Sequence, residues 1–494
     1  MTKSLTAMRN ARPAIPPESC RSDLEHSFPW WLLAMGAVLA LCSCATTGSR
    51  ETAGNAVAVP DAWSTQGSRA GGALDTAALG AWWERFNDPV LNELIVGALR
   101  ASPDVRTALA KIAEFRALRG VQAAGFFPTV AAGVSGGGTR TRNRETAVTA
   151  KSESYSASLD ASWQVDLFGR QRQAFNAASA DLAQTQENYY GSQVSLAAEV
   201  ASAYVALRSA EAQLAVVQHS LGTRSETVQL TQWREQAGTG DALATQQSLG
   251  TLEQARSSIP ALELTITQTR NQLALLSGRP PGGLDALLVA PRAVPTVQTE
   301  IAVGIPAETL RQRPDVRAVE RGVEAAFART QAARRQRLPA LNLSGSIGVE
   351  ALKAGRLFSP AATVASVLGS LTAPLFDAGR IGSQITVQSE RERQALIAYE
   401  TVVLAAFSEV ENALVAVQRN AERLEILNRA TAAAREAATL SGLQYEAGQV
   451  DLLVSLDAQR TLLDLEQQAV TTAAGRASAY VQLYQALGGG WAPL

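Results

Sequence analysis

Alternation of apolar and polar residues marks several strand-like stretches of the chain. Over Tyr155–Leu167 every odd position is apolar or aromatic and every even position is polar. This pattern predicts a strand with one apolar and one polar face. A looser form of the alternation covers Leu341–Val349 and Ser366–Leu375, and a weaker, glycine-rich strand is predicted over Thr129–Gly138. Each stretch is close to the roughly 9–11 residues that a tilted strand needs to cross a bilayer.

Long segments without proline follow each strand pair. No proline occurs between Pro128 and Pro260, or between Pro374 and Pro493. Apolar residues and alanines recur there at three- and four-residue spacing, which predicts helices that pack against other helices. If Arg170–Ala237 is one helix, it is roughly 100 Å long, far longer than a compact domain requires.

The chain contains the same unit twice. Gly448 follows Gly238 by 210 residues, and Asp451 follows Asp241 by the same 210 residues. The tetrapeptide PDVR also returns, at an offset of 211. An offset that holds across the whole unit predicts an internal duplication, each copy reading helix, strand, strand, very long helix, turn and helix.

This duplication predicts the following domain organisation. A signal peptide occupies residues 1–43, and a lipid-anchored linker occupies 44–80. The first repeat covers 81–280, with a β-hairpin over 129–167 and a long helical hairpin whose tip is at residue 238. A linker over 281–305 leads to the second repeat, 306–491, with a β-hairpin over 339–376 and a tip at 448; residues 492–494 form the C-terminal end.

Four such strands cannot remain an open sheet inside a membrane. The two edges would expose unpaired backbone groups to hydrocarbon, so the sheet must close. One chain supplies fewer strands than the smallest membrane barrels, so several chains are required. Two chains would give a barrel filled by its own side chains, and three would leave a bore.

The N-terminal region resembles a bacterial lipoprotein leader. An apolar run from Trp30 ends in Leu41-Cys42-Ser43-Cys44, which predicts cleavage before Cys44 and lipid on that cysteine. The alternative is a signal peptide cut elsewhere, with Cys44 incidental. In the lipoprotein leaders that this region resembles, Asp at the second position retains the protein in the inner membrane, so the resemblance implies that Ala45 favours the outer membrane.

Composition argues against several other functions. The formal net charge is −1, so no basic surplus points to nucleic acid. The only histidines are His26 and His219, and all three cysteines lie near the N-terminus, so neither a His-rich metal site nor a disulfide framework is expected. No nucleotide-binding or hydrolase motif is present, and we therefore predict neither an enzyme nor a cofactor beyond the lipid on Cys44.

Four motifs in order give the chain a specific family resemblance. They are WWERFNDPVLNEL, RQRPDVRAVE, YEAGQVDLLVSLDAQR and the closing ALGGGW, and they extend from Trp82 to Trp491. With them the chain resembles the TolC-like outer-membrane efflux family, in the lipoprotein branch typified by OprM and NodT. The resemblance implies an α+β fold: a homotrimeric, twelve-stranded transmembrane β-barrel continuous with a long periplasmic coiled-coil tunnel. It also implies docking to a periplasmic adaptor and an inner-membrane pump of the resistance-nodulation-division type, and an N-acyl and diacylglycerol lipid on Cys44.

In that family the repeated Ala-Gly stretch forms the periplasmic tips of the helical hairpins. Gly238 and Gly448 are then expected in left-handed backbone conformations that end one helix sharply. Asp241 and Asp451 are placed to cap the returning helices. These four residues are the predicted adaptor-docking tips.

One acid breaks the repeat. Asp457 has Gln247 as its counterpart, whereas Leu453 and Leu243 agree. Leu453 and Asp457 are four residues apart and share a helical face. The resemblance places them at the periplasmic gate; the alternative is that Asp457 pairs with Arg460 or Arg423 on the surface.

The predicted function is a passive exit duct in the outer membrane of a Gram-negative cell. The expected cargo is small toxic compounds such as drugs, dyes or solvents, delivered by the adaptor and the pump. Export of heavy-metal cations is the alternative cargo. A lipid-anchored coiled-coil scaffold is the less favoured alternative, because it leaves the four strands without a purpose.

Overall fold

The computed structural model describes Trp63 and residues 79–142, 145, 147–297, 310–359 and 362–491. Cys44 lies outside the described residues, as do the predicted signal peptide and residues 492–494. The long helices are α1 Pro89–Ala101, α2 Pro103–Ala124, α3 Arg170–Gln236, α4 Ala242–Leu276, α5 Pro314–Arg334, α6 Arg380–Glu446 and α7 Leu452–Ala486. The strands are β1 Thr129–Arg142, β2 Thr149–Val165, β3 Ala340–Ala351 and β4 Thr363–Thr372, and short 3₁₀ helices cover Trp82–Phe86, Arg335–Arg337 and Ala354–Arg356.

The two repeats produce matching helices. Helices α3 and α6 have 67 residues each, so each is about 100 Å long. The returning helices α4 and α7 have 35 residues each. Helix α3 ends one residue before the predicted Ala237, which instead accompanies the turn as the C-cap.

All four strands form one antiparallel sheet in the order β1-β2-β3-β4. The central pairing, β2 with β3, joins the first repeat to the second, from Val165 opposite Leu341 to Tyr155 opposite Ala351. Strands β1 and β4 are therefore the two edges of the sheet that one chain builds. A sheet that ends in two edge strands agrees with the expectation that several chains are needed to close it.

Strand lengths differ from the sequence prediction. Strands β1 and β2 have 14 and 17 residues, longer than the expected 9–11, because their polar outer ends continue to pair beyond the apolar part. The hairpins also end earlier than predicted, at Val165 rather than 167 and at Thr372 rather than 376. Asp166 explains the end of β2, since its carboxylate accepts hydrogen bonds from the backbone N–H groups of Gln171 and Arg172 and so belongs to the start of α3. After β4 comes Pro374, which has no backbone N–H to continue the ladder.

The two faces of the sheet have opposite character. Register partners place most of the large exposed apolar side chains of the strands on one face, among them Val134 at 83% and Val367 at 92% exposure, whereas Val364 and Leu368 of β4 lie on the other, mainly polar face. The other face carries serine, asparagine and glutamine side chains. These polar residues are Ser156, Ser158, Ser162, Gln164, Asn342, Ser344, Ser346, Ser366 and Ser370. The first face suits lipid and the second suits water, as predicted from the alternation.

The main hydrophobic core lies where the shorter helices pack around the middle of α3. Trp82 and Tyr484 are fully buried there and stack at a centroid separation of 5.1 Å. The backbone at Gly490, with φ of 101°, passes so close to Trp82 that an added Cβ would lie 3.1 Å from the indole nitrogen. Gly490 of the closing ALGGGW motif thus allows this segment to pack directly against Trp82.

Candidate functional site

The helical tips have the geometry that the repeated motif predicts. Gly238 and Gly448 have φ of 69° and 74°, in the left-handed region. Asp241 and Asp451 each accept a hydrogen bond at 3.1 Å, from the backbone N–H groups of Leu243 and Leu453 respectively. These carboxylates cap α4 and α7, so both turns are compact and built alike.

A contact joins the two helical hairpins next to these turns. The Arg234 guanidinium donates hydrogen bonds to the carbonyl oxygens of Tyr445 at 3.0 Å and Glu446 at 2.9 Å. The same guanidinium lies over the Tyr445 ring, 4.5 Å from its centroid. A cation is favourable at the C-terminal end of α6, where backbone carbonyls lack helical partners.

A small apolar cluster supports this contact. Tyr445, Leu452 and Leu456 are buried together, with Leu230 and Val450 packed against them. The cluster draws residues from α3, α6 and α7, so apolar burial holds the two hairpins together at the same level as Arg234.

The predicted gate residues point away from that cluster. Leu453 is 55% exposed in the single protomer. Asp457 forms an ion pair with Arg460 at 2.9 Å, with side-chain exposures of 66% and 71%. This pairing is one of the alternatives that the sequence left open, and a pair so exposed contributes little stability. Leu453 and Asp457 remain predicted gate residues, since a single protomer does not show what faces them.

At the opposite end of α7, Arg313 ties the motif RQRPDVR to the chain end. Its guanidinium donates to the Ala486 carbonyl oxygen at 2.8 Å, to both oxygens of Asp315 at 3.0 and 2.7 Å, and to Glu409 at 2.7 Å. Burial of Asp315 opposes its ionisation, but the Arg313 guanidinium outweighs burial and lowers the Asp315 pKa. Arg313 therefore stays charged although its side chain is buried.

The next arginine of this motif joins the two repeats. Arg317 forms an ion pair with Glu187 of α3 at 2.6 Å and lies 5.5 Å from the Trp491 ring centroid. Burial raises the Glu187 pKa in spite of the opposing Arg317 charge. Motifs far apart in sequence, RQRPDVR and ALGGGW, thus meet at one junction with the first repeat.

A second buried polar group lies in the main core. The Tyr204 hydroxyl donates to Asp88 at 2.5 Å, and Asp88 also accepts from the Val90 N–H at 2.9 Å to cap α1. Burial raises the Tyr204 pKa far above its usual value, and the hydrogen bond to Asp88 adds to the shift. Tyr204 thereby fixes α1 to the long helix α3.

Two other kinds of feature are absent from the described residues. Among the described residues no helix is both long and apolar enough to cross a membrane. Within the same part of the chain, no three His, Cys, Asp or Glu side chains are grouped so that they could hold a metal ion.

These features define the class of protein. An antiparallel sheet with an apolar outer face is continuous with paired helices about 100 Å long, which is the architecture of a channel subunit. The chain belongs to the outer membrane efflux protein family, whose model matches residues 94–279 and 305–489, one segment in each repeat.

Individual relatives agree with this assignment. The outer membrane protein OprJ of Pseudomonas aeruginosa is 32% identical, over 93% of this chain and 95% of its own. The toluene efflux pump outer membrane protein TtgC of Pseudomonas putida is 29% identical, over 84% and 86% of the two chains. The solved structure of the outer-membrane channel OprN is similar with a TM-score of 0.80 and 32% identity, over 88% of this chain and 99% of that one.

Family membership places the chain in its assembly. It is the outer-membrane exit duct of a tripartite pump, a homotrimer that works with a periplasmic adaptor and an inner-membrane pump, and it is not an enzyme. Since strands alternate in direction from β1 to β4, β4 of one protomer can pair antiparallel with β1 of the next. Three protomers then close a twelve-stranded barrel whose polar face lines the bore.

Sequence reasoning missed three of these contacts: Arg234 with Tyr445, Arg313 with Ala486, and Tyr204 with Asp88. Arg234 did carry a signal. Its counterpart in the second repeat is Gln444, just as Glu235 is the counterpart of Tyr445. Both members of this contact, Arg234 and Tyr445, are therefore positions at which the two repeats differ.

Proposed function

We propose that the duct passes small amphipathic toxic compounds such as drugs, dyes and solvents without chemical change. The supporting observation is the inner face of the sheet, which is mainly polar: serine, asparagine and glutamine side chains line β2 and β3, and small or hydroxyl-bearing residues line most of β1. A polar surface of this kind can form hydrogen bonds with many different solutes and discriminates weakly between them. The relative named for toluene efflux is consistent with a solvent among the cargoes.

Two measurements test this proposal. Purified trimer in a planar lipid bilayer should conduct ions, and deletion of the gene in its own host should lower the tolerated concentrations of dyes, antibiotics and toluene. Restoring the gene should restore tolerance. A trimer without conductance, or a deletion strain with unchanged tolerance after related channels are also deleted, would contradict the proposal.

Heavy-metal cations are the second candidate cargo, favoured by the acids on the inner face, Asp160 and Glu350. Asp160 accepts a hydrogen bond from the Ser158 hydroxyl at 2.8 Å and faces the bore between serines. Three copies in the trimer would attract cations. Copper or silver sensitivity of the deletion strain, with normal dye and solvent tolerance, would favour the metal cargo.

The anchor of the duct is proposed to be Cys44, carrying N-acyl and diacylglycerol groups. Support comes from the sequence, where Cys44 ends an apolar run of leader type. Labelling with radioactive palmitate should be lost in Cys44→Ser. Retained label in that variant would exclude Cys44 as the lipid site.

Adaptor docking is proposed at the two tips, Gly238–Asp241 and Gly448–Asp451. Both turns are exposed and built alike, so a repeated adaptor element could grip either. A photo-crosslinking residue placed at Gln449 should capture the adaptor in cells, whereas one at Val134 on the lipid-facing side of the sheet should not.

A further inference from the structure

The hairpin of β1 and β2 extends beyond the four-stranded sheet. Pairing of β2 with β3 ends at Tyr155 opposite Ala351. Pairing of β1 with β2 continues from Gly137 opposite Ser154 to Arg142 opposite Thr149. We name residues 137–142 and 149–154 the outer ribbon. Since the long helices lie at the other end of the sheet, the outer ribbon is at the extracellular end of the barrel.

Charge in the outer ribbon is confined to one face. Its charged residues are Arg140, Arg142, Lys151 and Glu153. The register places all four on the same face as Val134 and Leu159, the face that meets lipid. The face toward the bore carries threonine, serine, alanine and glycine. A ribbon that merely projected into water would have no reason to separate its charges in this way.

The cations in this arrangement repel one another. Arg140 and Lys151 are direct cross-strand partners, and like charges directly opposite are destabilising in a sheet. All three cations are exposed, and within the described residues none of them forms an ion pair. The ribbon carries three positive charges and one negative charge per protomer, so an anionic ligand would relieve the repulsion.

The height of the cations matches a layer of lipid headgroups. Tyr155 and Trp163 lie on the lipid-facing side of β2, about 27 Å apart along the strand, which is about 20 Å across the membrane at a strand tilt near 40°. Aromatic residues of this kind mark the borders of the apolar band in membrane barrels. Lys151 and Arg140 lie about 10 Å beyond Tyr155 by the same geometry, within the headgroup region of the outer leaflet.

We propose that the lipid-facing side of the outer ribbon binds the phosphate groups of a phosphorylated glycolipid in the outer leaflet. Arg140 and Arg142 present planar guanidinium groups suited to bidentate contact with phosphate, and Lys151 adds a point charge opposite Arg140. The lipid fixes the barrel in the outer leaflet, and the bore-facing side stays neutral for cargo. This inference rests on the membrane insertion of the sheet in the proposed duct.

The test uses the full-length trimer in neutral detergent and a fluorescent lipid A that carries two phosphates. The variant R140Q/R142Q/K151Q should bind this lipid about a hundredfold more weakly, since each of its three juxtamembrane cations contributes about a fivefold factor. The charge-matched control R256Q/R419Q/R429Q removes three exposed arginines of the long helices and should bind like the parent. The variant R140K/R142K keeps the charge and should stay within about threefold of the parent.

Several outcomes would overturn the proposal. Equal binding by the parent and the triple variant would do so, as would equal binding of dephosphorylated lipid A by the parent. Displacement of the lipid by millimolar inorganic phosphate would show that the outer ribbon binds free anions and not the glycolipid in particular. The conductance of each preparation distinguishes failure of this proposal from failure of the proposed function. Normal conductance without a preference for phosphorylated lipid contradicts only lipid binding by the outer ribbon. Absence of conductance contradicts the function as a duct.

Discussion

The guanidinium of Arg234, at the end of one long helix, covers the ring of Tyr445 at the end of the other, 4.5 Å from the ring centroid. It also donates to the Tyr445 carbonyl oxygen at 3.0 Å. One side chain of the first repeat thus holds the ring and the helix end of the second. If the tips move apart when the channel opens, this contact must break first, so its strength favours the closed arrangement.

Replacing Arg234 by alanine should therefore loosen the tips. The loss combines two hydrogen bonds from a charged donor with a cation–π contact, about 2 kcal/mol in total. We expect higher single-channel conductance in planar bilayers and greater entry of vancomycin into cells. The matched control is Gln444→Ala, which changes the equivalent residue of the second repeat and should behave like the parent. A parent-like Arg234→Ala trimer would show that the contact does not restrain the tips.

The predicted gate is tested by a set of three variants. Leu453→Ala should weaken an apolar ring and raise conductance, and Asp457→Ala should chiefly lower cation preference, because three facing carboxylates attract cations. Arg460→Gln is the control, since Arg460 is the ion-pair partner of Asp457 at 2.9 Å. If Arg460→Gln reproduces the effect of Asp457→Ala, or if neither Leu453 nor Asp457 matters, these residues belong to the helix surface and the gate lies elsewhere.

The sequence predicted features that depend on local periodicity. The two faces of β2 follow from strict alternation, and the caps at Asp241 and Asp451 follow from a repeated turn motif. Contacts between distant segments were not predicted. The pairing of β2 with β3 and the approach of Arg317 to Trp491 depend on how the repeats pack, which no local pattern encodes. The end of β2 was inaccurate because the Asp166 carboxylate accepts hydrogen bonds from the first turn of a helix, where alternation alone continued the strand.

Two buried tyrosines should respond differently to loss of the hydroxyl group. Tyr204→Phe removes a hydrogen bond to Asp88 of 2.5 Å and should lower the free energy of unfolding by about 2 kcal/mol. The Tyr484 hydroxyl is equally buried and lies near Arg85 without a hydrogen bond of normal geometry, so Tyr484→Phe should change stability by less than about 0.5 kcal/mol. Thermal unfolding of both trimers at pH 7 measures the difference. Equal losses would show that the hydrogen bond between Tyr204 and Asp88 contributes nothing to the free energy of unfolding.

The two tyrosines also predict an alkaline limit to stability. Burial raises the Tyr484 pKa to about 12, against the usual 10.0. A raised folded-state pKa means that stability is full below pH 10 and is lost as the pH rises toward 12. The Tyr484→Phe trimer should therefore lose less stability than the parent between these values. Parallel loss in both, measured as melting temperature against pH, would mean that Tyr484 ionises normally in the folded trimer.

Asp315 predicts the behaviour at acid pH. The Arg313 guanidinium lowers the Asp315 pKa below its usual 3.8, so the folded state binds a proton less readily than the unfolded chain. The stability that this ionic contact contributes is fully present above pH 3.8 and is lost as the pH falls through the folded-state pKa. Because the Asp315 side chain is 48% exposed, we expect only about 1 kcal/mol.

Asp315→Asn should accordingly lower the melting temperature of the trimer at pH 7 and should flatten its dependence on pH below about 4. The matched control is Asp104→Asn in the first repeat. There the uncharged Ser102 stands in place of Arg313, so the acid has no equivalent ion pair. That control loses only a charge at the start of α2, about 0.5 kcal/mol. If both variants lose the same stability at pH 7 and keep the same acid profile as the parent, Arg313 is held by Glu409 and the Ala486 carbonyl alone, and Asp315 contributes nothing beyond its place in the first turn of α5.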